Sequence, residues 1–338
     1  MKFVVLILIT LIAGVTGFLF YTNFMLPKTQ NTNTEVNKKT EKPLDKYTIE
    51  NLSRAKFSAS DIEIGSVLKD GSDFESRVFY FQVNGLKISG QINIPKSGGN
   101  FPVILMNRGY IERNGYKTGD GTRRSSEEFV KAGFVTLAPD FLGYGESDNP
   151  PDNVMEERFL TYTTSATLLN SVSKLNKALE KSGIGARVSS SKVGLWGHSN
   201  GGQITLTVLE ISGANNPTVL WAPVSKPFPY SILYYTDDIE DHGKGLRKVV
   251  SDFEKDYDSE KYSLTNFLDN INAPLEVHQG TADEAVPVRW TDDLVKILKE
   301  KNKDVSYFTY LDDDHNFTLG SWQTVVNRNV EFFKKNLK

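Results

Sequence analysis

Beyond about Tyr47 the chain is organised by apolar runs of two kinds. Short, β-rich runs recur at 77–83, 86–94, 102–107, 134–138, 192–196, 218–222, 274–278 and 305–310. Asn84-Gly85 separates the first two, and this is the strongest short signal for a tight hairpin. Helix-like patterns lie between the later runs, at 126–132, 157–181, 202–212 and 290–301, and a last one at 322–335 closes the chain. A hairpin followed by alternating strands and helices predicts an eight-stranded, mostly parallel sheet with helices on both faces. Residues 224–272 interrupt the rhythm, being too long for a simple crossover. They carry aromatics such as Phe228, Tyr230, Tyr235 and Tyr262 beside an acidic run from Asp237 to Asp241. The stretch reads equally as a cap over a site and as aromatic packing beneath a solvated acidic face.

Candidate chemistry sits where one apolar run meets a helix. Gly197-His198-Ser199-Asn200-Gly201 follows the strand-like Lys192-Val193-Gly194-Leu195-Trp196 and opens the helical pattern from Gly202. A Gly-x-Ser-x-Gly between a strand and a helix is the nucleophile-elbow arrangement, which raises the serine hydroxyl above the sheet. The glycines let neighbouring backbone pass closely. In such folds the acid and then the histidine follow the serine along the chain.

Of the four histidines, only His315 lies near the end of the domain with room for an acid before it. His242 and His278 would leave the last strand and helix without a role, and His198 reads as packed beneath the elbow. Asp283 sits in a Gly-containing turn after the apolar run 274–277, where an imidazole-orienting carboxylate is needed. Asp292 and Asp293 fall inside the next helical pattern, while Glu284 is the near rival. The acids Asp312, Asp313 and Asp314 read as a solvated loop. The backbone N–H of Asn200, just after the serine, is the expected oxyanion donor.

These segments together resemble the α/β hydrolases, and within them the catalytic domain of the prolyl-oligopeptidase-like (S9-type) serine peptidases and related esterases. The resemblance rests on Gly197 to Gly202, His278-Gln279-Gly280-Thr281-Ala282-Asp283-Glu284-Ala285-Val286-Pro287, and Asp314-His315-Asn316-Phe317. Pro139-Asp140-Phe141-Leu142-Gly143-Tyr144-Gly145-Glu146-Ser147 is similar to a further loop of that family. The likeness spans about residues 75 to 338. It implies an α/β-hydrolase fold, a Ser199–Asp283–His315 triad and small ester or peptide substrates. It also implies a second oxyanion donor at Tyr110. The family usually has His-Gly where this chain has Arg108-Gly109. Arg108 could therefore meet an anionic substrate group or fix its own loop by a salt bridge.

Composition narrows the alternatives. A chain of 338 residues fits one α/β domain with an extension. A net charge of −3 leaves no basic footprint for nucleic acid. The absence of cysteine excludes a disulfide framework, a thiol nucleophile and Cys-ligated zinc. Without a His-Glu-x-x-His motif, neither a metal nor another cofactor is expected.

The N-terminus is different material. Residues 3–21 are uncharged and mostly apolar, close to the ~20 residues needed to span a bilayer. A cleaved signal has an apolar core of only ~7–15 residues, and Phe18-Leu19-Phe20-Tyr21 continues past the possible cleavage site at Val15-Thr16-Gly17. Residues 1–26 are therefore expected to be a retained membrane anchor, with secretion after signal cleavage as the alternative. Lys28, Lys38, Lys39 and Lys42 follow the segment against the usual charge bias, yet long domains translocate regardless. The domain is thus expected outside the cytoplasm, joined by a flexible polar linker at 27–46. Residues 47–76 are too few for a propeller, which favours a compact esterase or small-peptide hydrolase over a gated peptidase. A non-catalytic binding module on the same fold, at the cell surface, is the other class.

Overall fold

A computed structural model describes residues 42–236 and 240–338. The anchor expected at 1–26, most of the linker and part of the acidic run lie outside the described residues. Among the described residues nine strands form one sheet: β1 (Glu63–Asp70), β2 (Phe74–Val83), β3 (Leu86–Pro95), β4 (Asn100–Asn107), β5 (Val135–Pro139), β6 (Arg187–His198), β7 (Thr218–Trp221), β8 (Leu275–Gly280) and β9 (Val305–Tyr310). Their spatial order is β1-β2-β3-β5-β4-β6-β7-β8-β9. The edge strands β1 to β3 run antiparallel, and β4 to β9 pair in parallel.

The eight expected strands are present, and the count is corrected to nine by β1. That strand is exposed along most of its length, so it has no apolar run to betray it. Backbone pairing to β2, with two register breaks, makes it a strand. The β2–β3 hairpin closes at Val83↔Leu86, with Asn84 and Gly85 at φ 51° and 81°. Positive φ at both turn residues is the twist-matched geometry that Asn-Gly favours.

The helices are α1 (Ile49–Arg54), α2 (Arg123–Lys131), α3 (Val154–Ser171), α4 (Leu175–Lys181), α5 (Asn200–Ser212), α6 (Tyr230–Leu233), α7 (Lys244–Glu254), α8 (Val288–Glu300) and α9 (Trp322–Asn336). Strand alternation divides the apolar residues between two layers. Val103, Leu105, Leu195 and Leu220 join the cluster containing Phe159 and Ile204. Ile104, Met106, Trp196 and Trp221 join the cluster containing Phe129 and Phe333. Continuous burial of β5, β7, β8 and the C-terminal parts of β4 and β6 follows from helices covering both faces.

Within 224–272, Phe228, Phe253 and Tyr262 pack around Phe159 of α3, with ring centroids 5.7, 6.0 and 4.9 Å away. Leu44 and Tyr47 are buried too, and the Tyr262 hydroxyl donates to the Leu44 carbonyl at 3.1 Å. Folding therefore begins a few residues inside the stretch read as linker, because these two apolar side chains have a surface to cover. Among the described residues no helix is long and apolar enough to cross a membrane.

Candidate active site

The elbow is built by backbone bonds to the neighbouring strand. Ser199 N–H donates to the Trp221 carbonyl at 2.9 Å, and the Ser199 carbonyl accepts from Gly202 at 2.9 Å and Val224 at 3.0 Å. These bonds hold the residue at φ 57°, ψ −121°. A non-glycine residue there costs about 1–3 kcal/mol, which the surrounding bonds must offset. Gly201 is required: a Cβ there would strike the Asn107 carbonyl. The serine is half-buried, and among the described residues its hydroxyl makes no hydrogen bond.

Asp283 and His315 are brought together. His315 Nδ1 lies 2.7 Å from Asp283 Oδ2, with the carboxylate side chain fully buried and the imidazole 17% exposed. The other donors to Asp283 come from its own turn and strand. Ala285 and Val286 N–H groups donate to Oδ1 at 2.9 and 2.7 Å, and Gln279 Nε2 donates to Oδ2 at 2.9 Å. Thr291 in turn donates to Gln279 Oε1 at 2.6 Å, fixing the amide. Glu284 is exposed and takes no part in this arrangement. With Nδ1–H donating to the acid, the other ring nitrogen of His315 is the one free to take a proton.

The His315 loop is shaped by the acids before it. Asp313 is buried rather than solvated, and accepts from the N–H groups of Asp314, Leu319 and Ser321 at 2.9, 3.0 and 2.7 Å. Asp314 Oδ1 accepts from Asn316 and Thr318 at 3.0 and 2.7 Å. His198 Nε2 meets the His315 carbonyl at 3.0 Å.

Backbone approaches the serine from two sides. Asn200 is the first residue of α5, so its N–H has no acceptor within the helix. Gly109 approaches so closely that a Cβ would lie 3.0 Å from Ser199 Cβ, which brings the loop preceding Tyr110 to the elbow. The Tyr110 side chain is 69% exposed and its hydroxyl donates to Glu112 at 2.6 Å. Any part it plays in an oxyanion site is thus through its backbone.

Arg108 stays inside its loop. Its guanidinium donates to the Gly109 and Asp140 carbonyls at 2.9 and 2.8 Å and lies 4.0 Å from the Tyr144 ring centroid. The loop is fixed by main-chain carbonyls and an aromatic face rather than by a salt bridge. Asp140 accepts from Ser89, Tyr116 and Thr118, a structural turn.

Beside the elbow opens a cavity of about 540 Å³, within the range of small-molecule sites. Asn200, Arg108, Tyr110, Arg158 and Tyr162 line it, and Ile232 and Leu246 border it from the 224–272 stretch. Arg158 was not among the residues singled out by motif. Its Nη2 donates to the neutral amide of Gln203 at 2.8 Å, its Nε is buried without a partner, and it forms no ion pair among the described residues. Nothing in the local sequence marks it, since it is one arginine on the helix α3. Among the described residues no group of three or more His, Cys, Asp or Glu is placed to hold a metal ion.

Solved structures match this architecture. Acetyl xylan esterase 1 from Thermoanaerobacterium sp. JW/SL YS485 superposes with a TM-score of 0.55 at 17% identity, covering 86% of this chain and 93% of that one. The Pyrococcus horikoshii acylaminoacyl peptidase superposes with a TM-score of 0.56 at 19% identity, covering 80% of this chain and 42% of that one. The fold is that of the α/β hydrolases. The chain belongs to the dienelactone hydrolase family, whose profile matches residues 88–331. Dipeptidyl aminopeptidase BIII of Pseudoxanthomonas mexicana is 29% identical over 153 residues, 42% of this chain and 21% of that protein. The chain thus spans about a fifth of the length of the curated peptidase it matches, and its structural neighbours include both esterases and peptidases.

Proposed function

We propose that the protein is a serine hydrolase cleaving small esters or amides through an acyl-enzyme on Ser199. The observation that carries this is the buried Asp283, saturated with donors and bonded to His315 at 2.7 Å, in a fold whose strained elbow presents Ser199. A serine hydroxyl is a weak nucleophile until a base removes its proton. His315 takes that proton as Ser199 attacks the carbonyl carbon, and then delivers it to the leaving alcohol or amine. Asp283 keeps the proton on Nδ1 and stabilises the imidazolium. Water attacks the acyl-enzyme by the same path in reverse. The backbone N–H groups of Asn200 and Tyr110 hold the oxyanion, each such donor being worth about 3 kcal/mol.

Arg158 supports a finer reading of the substrate. A cation beside the cavity whose partners among the described residues, Gln203 and Tyr162, are uncharged suits an acyl group bearing a carboxylate. Arg108, with both terminal nitrogens directed to main-chain carbonyls, is less available for this. The reaction would take place at a membrane surface if residues 1–26 are the anchor their composition suggests.

Fluorophosphonate labelling tests the central claim. Wild type should label at Ser199 and Ser199→Ala should not; an unlabelled but folded wild type favours a binding module. Arg158→Ala should slow hydrolysis of a nitrophenyl hemisuccinate about 10- to 100-fold while sparing the acetate ester. Equal losses on both esters would remove Arg158 from substrate selection. Membrane fractionation and protease treatment of intact cells test location, with protection of the domain until lysis placing it inside.

A further inference from the structure

The strand carrying Ser199 is tied directly to the loop carrying His315, through a side chain that the acyl-transfer scheme leaves without a task. His198, the last residue of β6, has 8% exposure. Its Nε2 lies 3.0 Å from the His315 carbonyl oxygen. A carbonyl can only accept, so Nε2 carries the proton and donates. The two imidazole rings also lie against each other, with centroids 4.5 Å apart and an interplanar angle of 35°.

Behind His198 stand Trp196 and Trp221, at centroid distances of 6.0 and 6.1 Å. Trp221 is held in turn by donating Nε1–H to Asn329 of α9 at 2.8 Å. Burial, reinforced by the neighbouring His315, pushes the His198 pKa down from 6.5 to about 3. The ring therefore stays neutral and keeps the donating tautomer. Asp283 and Asp314 are the charged acids acting on the His198 ring, and Asp283 acts on Tyr235 as well.

The other bonds of the loop do different jobs. Those accepted by Asp313 and Asp314 from residues 314–321 are internal and set its shape. Ala282 N–H to the Asp313 carbonyl at 3.0 Å and Asp312 N–H to Thr281 Oγ1 at 2.8 Å tie it to the acid's turn. Among the described residues the His198 bond is the hydrogen bond that joins it to the nucleophile's strand.

Resting on the serine-hydrolase reading above, we propose that His198 is a positioning residue. By donating to the His315 carbonyl and bracing its ring, it sets the separation at which the Ser199 proton is passed. Position matters here, because displacing a reacting group by about 1 Å can cost on the order of 100-fold in rate.

The test compares wild type, His198→Leu and His198→Gln on nitrophenyl acetate over a range of pH, with fluorophosphonate labelling of wild type as the first step. His198→Leu should lower kcat about 10- to 100-fold with little change in KM. Its acid limb of kcat/KM should move to lower pH, because the imidazolium loses its alignment with Asp283. His198→Gln offers an amide N–H to the same carbonyl and should recover most of the rate and the original limb. An unchanged kcat or an unmoved limb in His198→Leu overturns the proposal. Equal losses in both variants, with matching falls in Tm, also overturn it in favour of packing alone. Failure of wild type to label would sink the underlying reading, and this one with it, before any variant is compared.

Discussion

The turn after β8 and the body of α5 each bury one carboxyl group, Asp283 with 8% exposure and Glu210 with 2%. In the turn the backbone is released from the sheet, so the N–H groups of Ala285 and Val286 can face the side chain, and Gln279 and His315 complete the set. In the helix every nearby N–H is engaged in the i to i−4 ladder. Both Glu210 oxygens accordingly have no partner among the described residues, and burial raises its pKa well above the ordinary 4.5. Similar burial thus meets opposite hydrogen bonding. Where irregular backbone supplies donors, a buried carboxyl group can be held and aimed; inside regular structure, without them, burial raises its pKa.

That contrast can be broken from either side. The largest effect is expected from Asp283→Asn, which should lower kcat by about 10⁴-fold by presenting the wrong imidazole tautomer. Glu284→Gln should change little, and a reversal of the two would move the acid by one residue. Gln279→Leu comes next. It removes one donor from Asp283 and leaves Thr291 without its acceptor, so stability should fall by about 1–3 kcal/mol together with kcat. Thermal melts and turnover measured on one preparation check this, and an unaltered variant would mean that the turn's own N–H groups suffice.

The smallest effect, and opposite in sign, belongs to Glu210→Gln. A carboxyl whose folded pKa is raised contributes stability that is fully present below the unfolded value of about 4.5 and is lost as pH rises. The amide does not titrate. Its Tm should therefore exceed wild type by a few degrees at neutral pH, and the two curves should converge below about pH 4.5. A constant difference at all pH values would mean that packing rather than ionisation sets it.

Much of the site was legible because the chemistry is carried by short ordered motifs. Gly197 to Gly201 could be assigned to an elbow since a Gly-x-Ser-x-Gly lying between a strand and a helix fits that turn. Asp283 followed from its place on a turn after an apolar strand, and His315 from its lateness in the chain. Other features were hidden for physical reasons. The strand β1 is exposed, so backbone pairing defines it and hydrophobicity does not. Asp313 looked like part of a solvated acidic run, yet it is buried by the N–H groups that its loop turns inward. Gln279 and His198 were visible in the motifs, but their tasks depend on which partner lies across the fold.

The sequence by itself determined the alternation of strands and helices, the hairpin at Asn84-Gly85 and the choice of Ser199, Asp283 and His315 as candidates. Those depend on local periodicity, glycine geometry and order along the chain, which are properties of neighbours. Only the tertiary structure decided that Tyr110 turns its hydroxyl toward Glu112, that Arg108 is held by carbonyls and that Arg158 stands beside the cavity with no charged partner among the described residues. Side-chain direction and charge pairing across distant elements are set by packing, and no local pattern encodes them.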